Sequence, residues 1–171
     1  VRHLGPDAAE AVANQIVDNP HPMVTGFGMG GDERSFSVED FATAFAIAGD
    51  AGLGLTAHAG EFGDAQSVED ALDHLGVTRI GHGVRSIENP DLIDRLVQED
   101  ITLEVCPASN IALSVYPDFA RHPLRRLVDA GVRVTLNSDD PPFFQSTLAQ
   151  EYDLAGRHFG FDRSMLDQCT R

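Results

Sequence analysis

Lysine is absent from this chain: all twelve basic residues are arginine. Within these residues that excludes a P-loop lysine and a Schiff-base lysine. Cysteine is scarce, with only Cys106 and Cys169, too few for a disulfide framework or a thiolate zinc site. Cys106 ends an apolar run and reads as a small buried residue rather than a nucleophile. So low a cysteine count suits a reducing cytoplasm. No run of eighteen apolar residues occurs, so no membrane span is expected, and the start carries no signal-peptide pattern. Positive charge is short as well: 12 basic residues face 27 acidic ones, a net charge of −15. That balance disfavours a nucleic-acid backbone as partner and reads first as solubility.

What is present is alternation. Gly5-Pro6-Asp7 opens a helix, with Pro in its first turn, and Met23 to Met29 reads as a strand ending in glycines. Ser37 and Asp40 have capping-box spacing. Leu53 to His58 is the next strand, and Ser67 and Asp70 open a helix that Gly76 closes. Arg79 to His82, Ile101 to Cys106 and Val132 to Asn137 complete five strands. Helices beginning at Asn89-Pro90, Pro123 and Thr147 stand between and after them. Strand followed by helix, repeated, means parallel strands joined by crossovers. A doubly wound sheet and a barrel both satisfy that pattern. Polar residues at the ends of successive strands tip the choice towards a (β/α)8 TIM barrel, whose active site lies there. Such a barrel needs about 250 residues. Residues 1–171 are therefore read as its C-terminal part, about five βα units of a single domain, with the N-terminal strands missing.

Four segments at these ends carry chemistry. In Thr56-Ala57-His58-Ala59-Gly60-Glu61 an imidazole that can ligate a metal precedes a carboxylate able to exchange protons. Alone, His-x-x-Glu is a weak signal, more often explained by a hydrogen-bonded histidine and a solvated glutamate. In Gly81-His82-Gly83 the flanking glycines allow close approach to a ring that could act as base or electrostatic stabiliser. In Ser138-Asp139-Asp140-Pro141 adjacent carboxylates repel unless a cation or donor relieves them, although a plain Asp-Asp-Pro turn is common. Met29-Gly30-Gly31-Asp32-Glu33 offers a bare backbone N–H at Gly31, with a simple turn as its competitor. Ser109 and Ser138 lie in no nucleophile elbow. Together the segments suit metal-assisted hydrolysis.

In this order, His58-Ala59-Gly60-Glu61, Ile80-Gly81-His82-Gly83, Cys106-Pro107-x-Ser109-Asn110 and Ser138-Asp139-Asp140-Pro141, with Gly31-Asp32-Glu33, resemble the adenosine deaminase family. The resemblance runs from about Met23 to the end of the chain. It implies one zinc ion per active site, with His58 and Asp139 among its ligands. Glu61 would protonate the purine ring nitrogen, and His82 would orient and help deprotonate the zinc-bound water. Asp140 and the backbone of Gly31 would hold the purine. The implied partner is a small purine nucleoside or base. Adenosine or 2′-deoxyadenosine is the expected substrate, with adenine or a modified adenosine as the alternative and a catalytically silent binding relative as a third reading. The family's His-x-His pair is lacking, since no two of the seven histidines stand two residues apart. These residues alone are thus expected to bind zinc weakly and to be inactive, with activity residing in the full-length parent. Gly28 stands where many members carry aspartate. No oligomeric state is legible.

Overall fold

The computed structural model of the protein describes residues 2–170. Helix α1 (Pro6–Asp18) leads into β1 (Gly26–Met29), α2 (Ala42–Asp50), β2 (Gly54–Ala59), α3 (Ala65–Leu75) and β3 (Arg79–His82). Next come α4 (Pro90–Gln98), β4 (Thr102–Val105), α5 (Pro107–Ala112), α6 (Leu124–Asp129) and β5 (Arg133–Leu136). Three helices follow: α7 (Pro141–Phe144), α8 (Leu148–Phe159) and α9 (Arg163–Gln168). All five expected strands form. Asn89 caps α4 by accepting the Asp91 and Leu92 N–H groups, and Thr147 caps α8 by accepting from Gln150. Helix α3 starts earlier than Ser67 suggests because Asp64 is its cap and accepts the Ser67 N–H. The Ser67 hydroxyl, released from capping, accepts the Gly60 N–H at 2.9 Å. Asp40 accepts the Ser37 N–H as half a capping box, but the chain there first makes a 3₁₀ turn, Glu39–Phe41. The short helices α5, α7 and α9 were not expected.

All strand pairs are parallel, and the order is β1-β2-β3-β4-β5. A doubly wound sheet reverses its strand order at a switch point; this one advances in one direction throughout. The protein is a five-unit arc of a (β/α)8 barrel. Successive strand residues alternate between two faces. Phe27, Met29, Ala57, Ala59, Ile80, Leu103, Val105, Val134 and Leu136 are buried, and they join Phe41, Phe45, Val68, Leu92, Leu96 and Leu127 in one core.

The opposite face carries Thr56, His58, Arg79, Gly81, Glu104 and Thr135. It is polar and cross-linked: Arg79 Nε donates to Glu104 Oε1 at 2.7 Å, and Thr56 donates to Glu104 Oε2 at 3.1 Å. Arg79 Nη2 reaches Thr135 Oγ1 at 3.4 Å. This layer spans β2 to β5, while His58 and Gly81 lie nearer the strand ends. Among the described residues no helix is long and apolar enough to cross a membrane.

Candidate active site

The strand period explains where His58 points, but not His82. Alternation would send His82 to the helix side with Ile80. Its backbone instead adopts φ 63°, a left-handed conformation uncommon outside glycine. That turn brings its ring to 4.9 Å from the His58 ring, at 87°. Asp139, directly beyond β5, also has a positive φ, 56°. Strained backbone of this kind concentrates at functional sites. Gly60 has φ 66°, and a Cβ there would stand 2.6 Å from Val68 Cγ2. The turn linking His58 to Glu61 therefore requires glycine.

Six residues singled out from the sequence line one open depression of ≈ 320 Å³: Gly31, His58, Glu61, His82, Asp139 and Asp140. Phe62, Leu113 and Phe144 add apolar wall. Glu61 and His82 are buried, His58 and Asp139 partly so, and Gly31 and Asp140 lie on the exposed rim. His82 Nε2 stands 3.6 Å from Glu61 Oε2 and 4.0 Å from Asp139 Oδ2. Burial, followed by the charges of Asp139 and Glu33, pushes the Glu61 carboxyl up to about 7. Burial, with a smaller push from His58, pulls His82 down to about 3, so its ring is neutral. Cys106 is buried, and burial raises its thiol well above the usual range. Ser109 donates to the Cys106 carbonyl at 3.1 Å. Neither is a nucleophile here.

Three residues given no role from the sequence organise this site. Glu33 is buried, and its carboxylate accepts the N–H groups of Glu61 at 3.2 Å, Phe62 at 2.7 Å and Gly63. Asn110, fully buried on α5, places Nδ2 3.3 Å from His82 Nδ1 and 3.5 Å from Glu61 Oε1. His122 Nε2 lies 3.0 Å from Asn110 Oδ1. Glu33 and Asn110 sat inside recognised motifs without a function. Nothing local marked His122, because its partner is twelve residues away.

Donors and charge both suit a divalent cation. The ligand atoms of His58, Glu61 and His82 lie within 4.8 Å of one another, as do those of His82, Cys106 and Asp139. Imidazole nitrogen and carboxylate oxygen are donors that zinc accepts. Arg34, the one arginine lining the depression among the described residues, is engaged by Asp32 at 2.8 Å. The His58 ring sits between two glycines: a Cβ on Gly30 would meet it at 3.3 Å and one on Gly81 at 2.3 Å. Gly81→Ala in the intact protein is expected to displace that ring and weaken metal affinity roughly 10–100-fold. A metal titration giving wild-type affinity would show that the ring does not need the gap.

The sequence model of the adenosine deaminase family matches residues 1–171. An adenine deaminase from Chelativorans sp. (strain BNC1) is 59% identical over 170 residues, which are 99% of this chain and 52% of that protein. The chain thus spans about half the length of the curated relatives it matches. An adenine deaminase structure from Arthrobacter aurescens superposes with a TM-score of 0.91 at 34% identity, covering 98% of this chain and 51% of that one. An amidohydrolase from Burkholderia ambifaria, solved with bound Zn, gives 0.91 at 34% identity, covering 98% and 47%.

Proposed function

Because the chain belongs to the adenosine deaminase family, we propose that it is the C-terminal part of a single metal-dependent barrel domain that hydrolyses adenine to hypoxanthine and ammonia. The convergence of Gly31, His58, Glu61, His82, Asp139 and Asp140 on one depression carries this reading. Adenosine, the substrate expected from the run after the aspartates (Pro142-Phe143-Phe144, Ser146-Thr147-Leu148 and Glu151-Tyr152), becomes the second choice, because relatives at 59% identity bear the name adenine deaminase.

His58 and Asp139 would hold the metal, with further ligands supplied from outside these residues. Zinc is the ion we infer, from the nitrogen and oxygen donors and the zinc-bearing amidohydrolase. Bound there, zinc would act as a Lewis acid that lowers the pKa of water to about 7. This chain's residues do the rest. Phe62, Leu113 and Phe144 offer apolar surface to a flat purine, while Asp140 and the Gly31 backbone meet its polar edges. His82 holds the attacking water. As the water oxygen bonds to the carbon bearing the amino group, one water proton is released to the site. Glu61 gives its own proton to the adjacent ring nitrogen, offsetting the negative charge that develops on the ring. The carbon–nitrogen bond then breaks: the departing nitrogen takes up the proton that the water released and leaves as ammonia, while the proton on the new hydroxyl returns to Glu61, leaving the carbonyl of the product.

A substrate panel on the intact protein tests the choice of base. Adenine is expected to give the higher kcat/KM by ammonia release, and equal or faster turnover of adenosine would overturn it.

A further inference from the structure

A chain of hydrogen bonds runs from the backbone of α6 into the depression, and its polarity is set at the far end. The Leu124 N–H donates to His122 Nδ1 at 3.2 Å. A backbone N–H can only donate, so Nδ1 must present its lone pair, and the ring proton must sit on Nε2. His122 Nε2–H therefore donates to Asn110, and the Asn110 atom facing it at 3.0 Å must be the carbonyl Oδ1. That orients the amide. Its Nδ2, which can only donate, faces His82 Nδ1 at 3.3 Å and Glu61 Oε1 at 3.5 Å. A proton on His82 Nδ1 would set donor against donor inside a buried network and leave a buried hydrogen bond unmade.

The other edge of the same ring agrees independently. His82 Nε2 faces two carboxylate oxygens, Glu61 Oε2 at 3.6 Å and Asp139 Oδ2 at 4.0 Å. An N–H is attracted to the Asp139 carboxylate, whereas a lone pair would be repelled; Glu61, which holds a proton, favours neither tautomer.

We propose that Asn110, itself oriented by His122, fixes His82 as the tautomer with its proton on Nε2, so that His82 donates a hydrogen bond to the attacking water rather than accepting its proton. What the donor faces rests on the deaminase reading; the tautomer does not. Asn110 and His122 are thus positioning residues, acting through His82. The water's proton must then leave by another acceptor, and since Glu61 holds its own proton for the ring, Asp139 beside Nε2 is the carboxylate placed to take it.

The test is the ¹⁵N spectrum of the intact protein labelled at histidine. His82 Nε2 is expected to carry the proton, with Nδ1 unprotonated; a proton on Nδ1 overturns the proposal. Asn110→Asp replaces the donor with an acceptor, so the His82 proton should move to Nδ1. Its kcat is expected to fall roughly a hundredfold, the effect of losing one preorganised donor, with KM changed only a few-fold. An unchanged His82 spectrum in that variant overturns the relay. His122→Gln keeps a donor towards Asn110 and an acceptor towards Leu124. It should retain the wild-type tautomer, whereas His122→Phe should not. If a variant fails to fold, the wild-type spectrum alone decides. The spectrum needs no substrate, so a protein that shows Nε2–H but deaminates nothing would sink the functional reading and leave the relay standing.

Discussion

Glu61→Gln in the intact protein is expected to lower kcat for ammonia release roughly a thousandfold, within the range by which a positioned general acid accelerates a reaction. The substituted amide would keep the shape and the contact with Asn110 but would have no acidic proton to give. Wild-type Glu61 holds one near neutrality, through burial first and then the charges of Asp139 and Glu33. KM should change little, because the proton transfer matters most in the transition state. A loss of only a few-fold would sink the catalytic assignment and favour a silent binding relative. The same substitution should not destabilise the fold at alkaline pH. A carboxyl raised from 4.5 to about 7 contributes stability that is present below about pH 4.5 and is lost as pH rises through 7. Glutamine, always neutral, escapes that loss. Above pH 7 the variant should therefore be about 1–3 kcal/mol more stable than wild type, read as a higher Tm. Function is kept at some expense in stability.

The second large effect is expected at Glu33, whose hydrogen bonds go to the backbone of the Glu61 turn. Its carboxylate accepts the N–H groups of Glu61, Phe62 and Gly63. All three bonds end on Oε2, so Glu33→Ala, which removes that oxygen, leaves the three donors without their acceptor. Unsatisfied buried donors cost about 1–3 kcal/mol each, so the loss should be about 2–4 kcal/mol, measured by denaturant melts. An exposed turn glutamate would move stability by about 0.5 kcal/mol or less, and that result would refute the clamp. Activity should respond too. Glu33's charge helps hold the Glu61 proton. Removing it lowers the Glu61 pKa, and the alkaline limb of the kcat profile should shift to lower pH. A structural defect alone would lower activity without moving that limb.

Much of this site was legible along the chain because its residues lie in short runs at strand ends. His58-Ala59-Gly60-Glu61 and Ser138-Asp139-Asp140-Pro141 each join an apolar strand to a polar turn, and that transition is local. Strand parity likewise separates the inward His58 from the buried Ala57 and Ala59. Helix starts at Asn89 and Thr147 were equally plain, since a cap needs only the next few residues. Substrate choice was less so: the run after the aspartates, Pro142-Phe143-Phe144 to Glu151-Tyr152, pointed to the nucleoside, while relatives at 59% identity are named adenine deaminases.

What escaped the sequence is what depends on closure in space. A parallel strand–helix alternation is common to barrels and doubly wound sheets; polar residues at successive strand ends tip the reading to a barrel, but the order β1-β2-β3-β4-β5 that decides it is a property of packing. Parity placed His82 with Ile80, and only its φ of 63° turned the ring to His58. Glu33 reaches its partners across 28 to 30 residues, and Asn110 lies 49 from Glu61. Such partners leave no spacing to read. The chain by itself determined which residue types stand at the ends of the strands, because periodicity and turn chemistry are local. Tertiary structure decided their state: Glu61 retains a proton and His82 stays neutral because burial and neighbouring charge, not sequence neighbours, set the cost of ionisation.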